Sequence, residues 1–192
     1  MRSSQLRRST AETEVSVKVE IDGTGKCSCD TSMKFLNHMI ASFSTHSLID
    51  ITVSARGDLR HHIVEDVAIC LGKTIDQALG KRSGIRRFGD AIVPMDEALS
   101  MASVDLVRRS HSHVELGLKR HAIEDVASED LVHFFDSLIS NINCTAYVRV
   151  LQGDNDHHRV ESSFKAFAVA FREASEIDER REGNIPSSKG EV

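Results

Sequence analysis

Gly57-Asp58-Leu59-Arg60-His61-His62-Ile63-Val64-Glu65 and Gly153-Asp154-Asn155-Asp156-His157-His158-Arg159-Val160-Glu161 share one pattern, G-D-x-x-H-H-x-V-E. His61 and His157 stand 96 positions apart, half of the 192-residue chain. The likeness extends beyond the motif. Leu36-Asn37-His38-Met39-Ile40-Ala41-Ser42-Phe43 aligns with Leu131-Val132-His133-Phe134-Phe135-Asp136-Ser137-Leu138 at an offset of 95, so each half adds one helix-borne histidine, His38 and His133. A duplicated unit accounts for six of the ten histidines and pairs Glu65 with Glu161.

Working outward, Val15 to Ile21 alternates with period two and Asp22-Gly23-Thr24-Gly25 supplies turn chemistry, which predicts a hairpin there. Apolar positions 35, 36, 39, 40 and 43 recur at helical spacing, with Thr31 or Ser32 as the cap. Leu48 to Ala55 reads as a strand, and Ile63 to Leu79 as a helix ended by Gly80. The second half repeats the order. Strands are expected near 86–93, 99–107, 113–119 and 145–151, with helices at 129–142 and 160–174. Ser128, Glu129 and Asp130 suit a helix N-terminus. The expected fold is α+β, with internally duplicated half-domains, each a β-sheet with two helices on one face. The halves are drawn at 1–90 and 91–178, followed by a charged, mobile tail at 179–192.

Composition narrows the function. A formal net charge of −5 opposes a nucleic-acid-binding body, and no apolar run is long enough for a membrane span or signal-peptide core. The cysteines at 27, 29, 70 and 144 form no C-x-x-C framework; Cys27 and Cys29 suit a strand edge, and all four read as reduced thiols. A soluble cytoplasmic protein is expected.

A single surface His-His pair ordinarily does nothing, but its duplication with matching glutamates predicts metal binding. Adjacent helical residues point about 100° apart, so His61 and His62 do not easily reach one ion, whereas residues four apart share a face. His61 with Glu65, and His157 with Glu161, are therefore each expected to hold an ion. His62 and His158 then look to the other half's ion. The expected sets are His38, His62, His157 and Glu161 on one ion, and His61, Glu65, His133 and His158 on the other. Three imidazoles and one carboxylate leave positions open on a six-coordinate first-row dication, unlike closed structural zinc. Asp66 is expected either to favour the helix N-terminus or to orient His62. His111, His113 and His121 are expected at the surface, and Tyr147 in strand packing.

Taken together, these residues resemble the imidazoleglycerol-phosphate dehydratase family over essentially the whole chain. The matches are Arg8-Ser9-Thr10-Ala11-Glu12-Thr13, Phe35-Leu36-Asn37-His38-Met39, both His-His-x-x-Glu segments, Gly84-Ile85-Arg86-Arg87-Phe88-Gly89, Pro94-Met95-Asp96-Glu97-Ala98-Leu99, Phe164-Lys165 and Ser187-Ser188-Lys189-Gly190. Three departures stand out: Asn37 replaces an Asp, Val107-Arg108-Arg109-Ser110 replaces Ser-Gly-Arg-Pro, and Ser188 replaces a Thr. The resemblance implies a ribosomal S5 domain 2-like fold and two Mn(II) ions per subunit. It also implies a homo-oligomer of 24 subunits with active sites where subunits meet. The implied reaction is dehydration of D-erythro-imidazole-glycerol phosphate to imidazole-acetol phosphate in histidine biosynthesis. It places Glu12, Glu65 and Glu161 among the catalytic residues. Substrate contacts are implied at Glu12, His38, His46, His61, His62, Glu65, Arg87, Arg109, His157, His158, Glu161, Lys165, Ser187, Ser188 and Lys189.

The chemistry asks for such residues. The proton to be lost sits on carbon with no carbonyl nearby, so the substrate's imidazole must be the electron sink, and cations at its ring nitrogens would stabilise the anionic ring. Glu12 is the expected base, chiefly from the resemblance. Arg87, Arg109, Lys165 and Lys189 suit a phosphate dianion, with the tail closing over it. Two other classes compete. A dinuclear hydrolase would favour bridging carboxylates over this histidine-rich set. A metal-organised RNA-binding scaffold is opposed by the acidic balance.

Overall fold

In the computed structural model, residues 1–190 are described. Two four-stranded sheets have the same topology. In the first, β1 (Ser3–Ser9), β2 (Thr13–Glu20), β3 (Cys27–Asp30) and β4 (Asp50–Gly57) lie in the order β1-β2-β4-β3. In the second, β5 (Phe88–Met95), β6 (Ala98–Asp105), β7 (His111–Glu115) and β10 (Thr145–Gln152) lie in the order β5-β6-β10-β7. Each begins with an antiparallel hairpin and ends on an edge strand parallel to its neighbour, β3 to β4 and β7 to β10. The helix joining each parallel pair is α1 (Lys34–Ser47) in the first half and α3 (Ser128–Ile142) in the second. A second helix closes each half, α2 (Arg60–Leu79) and α4 (Asp156–Ser175). The α+β duplication expected from the sequence is what the chain adopts.

Alternation builds each sheet. On β2, Thr13, Val15, Val17 and Val19 are buried while Glu14 and Lys18 face out. The helices lie on the buried faces, and those of one half meet those of the other, α2 against α3 and α1 against α4. Phe43 stacks on Phe167 at 5.6 Å, and Phe135 packs on Phe164 at 4.4 Å, within one core spanning both halves. Gly72 allows the α2–α3 contact: a Cβ there would lie 2.7 Å from the Leu138 carbonyl oxygen. The outer faces differ. The first sheet shows Ser16, Lys18, Thr52, Ser54 and Arg56, whereas the second shows Phe88 and Ile92, 57% and 63% exposed, with Tyr147 and Leu151.

Several sequence expectations are corrected. The hairpin lies before Val15, not after Ile21: β1 shows no apolar alternation because its inward positions are Ser4, Leu6 and Arg8, and the Asp22–Gly25 turn leads instead to the edge strand β3. Cys27 and Cys29 do lie on that edge strand. Neither Thr31 nor Ser32 caps α1, and Ser128 does not cap α3, whose N-cap is Ala127. Gly80 ends α2 as expected, its N–H donating to Asp76 O. A small hairpin, β8 (Ala122–Ile123) and β9 (Val126–Ala127), was not foreseen. β5 spans the 90/91 division drawn from sequence and pairs wholly within the second sheet. Over its described part the tail is hydrogen-bonded to the body: Gly84 N–H donates to Asn184 O and Arg87 Nη1 to Pro186 O. Residues 191–192 of the expected tail lie outside the described residues. Tyr147 faces outward, flanked by the exposed rings of His111 and His113; His121 is exposed, as expected. None of the described helices is long and apolar enough to cross a membrane.

Candidate metal centre

The helix starts carry the chemistry. α2 begins at Arg60 and α4 at Asp156, so both His-His pairs sit in a first turn. His38 is one turn into α1, and His133 is in the second turn of α3. This geometry gathers two triads, His38–His157–Glu161 and His61–Glu65–His133, each with its ligand atoms within 4.8 Å of one another. In the first, Glu161 Oε2 lies 3.2 Å from His38 Nε2 and 3.3 Å from His157 Nε2. Its other oxygen takes Lys165 Nζ at 2.9 Å. In the second, His133 Nε2 is 3.4 Å from Glu65, and the His61 and His133 rings stack at 5.4 Å. The expected i, i+4 pairing of histidine and glutamate therefore holds in both halves.

Four carboxylates fix the His-His rings. His61 Nδ1 meets Asp130 at 2.6 Å, His62 Nδ1 meets Asp58 at 2.8 Å, His158 Nδ1 meets Glu97 at 2.7 Å and His157 Nδ1 lies 3.4 Å from Glu124. A carboxylate on Nδ1 selects the tautomer that presents Nε2 as a lone-pair donor, the arrangement found around metal-bound imidazole. Asp130 raises the His61 pKa through that hydrogen bond, and Asp58 does the same for His62. His158, with help from the Asn155 N–H, holds Glu97 down at about 2. Burial would push Glu161 up, but the hydrogen bonds from Lys165 and His38 outweigh it and keep its carboxyl below the ordinary value. Two imidazoles and one carboxylate with positions left open suit a first-row dication, so the residues present fit such an ion.

The sequence had assigned eight ligands, and one chain gathers six of them. His62 and His158 stand outside both triads, held by Asp58 and Glu97. Glu12 lies on the β1–β2 loop, exposed, with its carboxylate 3.7 Å from His62 Nδ1. Asp66 takes neither expected role. It is buried, accepts from Arg8 Nε at 2.7 Å and from the Thr13 hydroxyl, and so pins both ends of the Glu12 loop to α2. Asn37 does not orient His38 either; its carbonyl accepts from Thr31 N–H at 3.0 Å and Thr31 Oγ1 at 2.7 Å.

The expected phosphate residues are dispersed. Lys165 adjoins the first triad, and half-buried His46 lies close enough for burial and the Lys165 charge to lower its pKa. Arg87 forms a two-pronged pair with Asp105 at 2.7 and 3.0 Å and donates to Pro186 O at 2.9 Å. Its N–H also binds Ala174 O, thirteen residues along α4 from Glu161 and so about 20 Å away along that helix. The tail, with Ser187, Ser188 and Lys189, lies at that end too, its Ser187 Oγ receiving the Lys189 N–H at 3.2 Å. Arg109 is exposed and makes no ion pair among the described residues. Asp66 was the residue expected beside His62 and Asp58 was missed, although its four-residue spacing could have pointed to it; Asp130, Glu97 and Glu124 carried no local signal, because they arrive from 33 to 69 residues away.

Comparison with known proteins places the chain in a family. The family model for imidazoleglycerol-phosphate dehydratase matches residues 31–171. The chain belongs to that family. A relative of that name from Chlorobium luteolum is 47% identical over 98% of this chain and 94% of its own length. Another, from Syntrophomonas wolfei, is 46% identical over 98% and 96%. Among solved structures, the dehydratase from Pyrococcus furiosus, crystallised with (S)-C348, superposes with a TM-score of 0.84 at 34% identity, over 97% of this chain and all of that one. The dehydratase from Staphylococcus aureus gives 0.84 at 27% identity, covering 92% and 99%. The family is thus a dehydratase of histidine biosynthesis, and this chain carries its fold with two His/Glu groups able to hold metal.

Proposed function

We propose that the protein dehydrates D-erythro-imidazole-glycerol phosphate to imidazole-acetol phosphate and water in histidine biosynthesis, as a cytoplasmic enzyme with two Mn(II) ions per subunit. The observation that carries this reading is the pair of His-His-Glu triads at the helix starts. Bound dications supply the Lewis acidity that makes the substrate's imidazole an electron sink. The chain's residues then do the rest. Lys165 and His38 keep Glu161 ionised as a ligand. Asp130, Asp58, Glu97 and Glu124 hold the four helix-start imidazoles with Nε2 presented. Glu12 accepts the proton from the side-chain carbon, a role open to it because its carboxylate makes no hydrogen bond among the described residues.

The active site is shared between copies. His62 and His158 each lie outside this chain's triads with Nδ1 already held, which suits them to complete a neighbour's ions. Because Glu12 adjoins His62, the base arrives with that ligand. Arg87, Arg109, Ser187, Ser188 and Lys189 take the phosphate of a neighbour's substrate, and the described part of the tail closes over it. The apolar outer face of the second sheet, with Phe88, Ile92, Tyr147 and Leu151, supports burial against other copies in a homo-oligomer of the size the family resemblance implies. The test is a dehydration assay on the protein as purified, after chelation and after Mn(II) is returned. Turnover that vanishes and returns supports the reading; undiminished turnover by metal-free protein overturns it.

A further inference from the structure

The two halves enter their first helices differently. In the first, three residues separate β3, ending at Asp30, from α1, starting at Lys34; in the second, β7 ends at Glu115 and α3 starts only at Ser128. The extra chain forms the β8–β9 hairpin, whose two-residue turn is Glu124–Asp125. That turn reaches into the other half. α1 has no cap of its own: Met33, its N-cap residue, offers no side-chain bond, and its first turn holds no acid. The Asp125 carboxylate takes two of the helix's unpaired first-turn donors instead, Lys34 N–H at 2.7 Å and Phe35 N–H at 3.0 Å. Phe35 packs on the His157 ring at 5.0 Å, and Glu124 lies 3.4 Å from His157 Nδ1. Glu124 itself sits at φ 53°, a left-handed conformation that glycine would adopt with less strain. The same turn, with Lys34, Phe35 and His38, walls a cleft of about 400 Å³ beside the triad.

We propose that the Glu124–Asp125 turn is a positioning brace for the His38–His157–Glu161 triad, Asp125 fixing the start of the helix that carries His38 and Glu124 fixing the His157 ring. This rests on the metal-binding reading above. The brace belongs to one triad: towards the other, its only bond among the described residues is from Arg60 Nη1 to Asp125 O at 3.0 Å, which uses the backbone and survives side-chain substitution. A carboxylate serving the His157 ring accounts for a glutamate standing at this left-handed position where glycine would be less strained.

The experiment is an Mn(II) titration of the full-length assembled protein in two backgrounds that each leave one triad intact, His133→Ala and His38→Ala. Asp125→Ala should weaken Mn(II) binding about tenfold or more in the His133→Ala background and leave the His38→Ala background unchanged. Asp125→Asn, which keeps an acceptor oxygen, should restore most of the affinity. Glu124→Gly should weaken the first triad although it relieves the backbone. Equal weakening in both backgrounds, or a lowered melting temperature with Mn(II) affinity intact in both, overturns the brace. If Asp125→Ala does not fold, unaltered affinity in Glu124→Gly overturns it by itself. Two ions per chain in the parent with no selective loss condemns the brace alone; no Mn(II) bound by the parent condemns the metal reading as well.

Discussion

The two halves share topology but not the surroundings of their carboxylates. The loop of the first hairpin brings Glu12 to 3.7 Å from His62, and the corresponding turn of the second brings Glu97 to 2.7 Å from His158. Glu97 is committed: His158 and two backbone N–H groups, Asn155 and Asp154, hold it ionised at about 2, which makes it a poor proton acceptor. The Glu12 carboxylate accepts no hydrogen bond among the described residues, having only His62 Nδ1 at 3.7 Å. Likewise Glu161 is buried and held by Lys165, while Glu65 is partly exposed, with Ile69 where the second half has Lys165. Duplication supplied two His/Glu groups able to hold metal; on the function proposed above, the substitutions around them separate a proton acceptor, Glu12, from a ring-orienting acid, Glu97.

The sharpest way to break this comparison is to neutralise both acids separately. Glu12→Gln should lower kcat by about 10²- to 10⁴-fold with Mn(II) content and substrate affinity kept. Glu97→Gln should instead weaken metal binding, by about 10- to 100-fold, with kcat recovered at saturating Mn(II). Equal kcat losses at saturating metal would erase the distinction. Next in size, Lys165→Ile, which copies the first half, should weaken Mn(II) binding at the first triad about tenfold and raise KM for the phosphorylated substrate.

pH sharpens the comparison further. Asp130 raises the His61 pKa, so the metal-free ring keeps its proton to a pH above the ordinary histidine value of about 6.5. A metal must displace that proton. Mn(II) affinity of the second triad should therefore be full above the raised pKa and fall about tenfold per pH unit below it. A titration in the His38→Ala background reads this out, and a flat profile down to pH 6 would contradict it. The smallest effect concerns the Glu12 loop. Asp66→Asn should cost about 1 kcal/mol, since Arg8 is partly screened by solvent, and lower kcat by less than tenfold. Thermal melts beside steady-state kinetics measure both.

The sequence disclosed what is local or repeated. The helices, the buried alternation of β2 and the i, i+4 pairs His61–Glu65 and His157–Glu161 all follow from short periods that one segment displays. β1 was illegible because Gln5 and Arg7 carry no apolar alternation, and its partner, not its own composition, makes it a strand. Asp66 was misread because its partners Arg8 and Thr13 precede it by more than fifty residues. The cap of α1 was missed for the same reason: Asp125 is 91 residues from Lys34. Local pattern also could not say that His62 and His158 turn away from their own chain's triads, since that depends on Asp58 and Glu97 holding them.

The most direct test counts ions. Equilibrium Mn(II) binding to the assembled protein should saturate at two ions per chain, with one lost in His38→Ala and one in His133→Ala. A single ion per chain, or a variant whose stoichiometry equals the parent's, would contradict two separate centres built from the two halves.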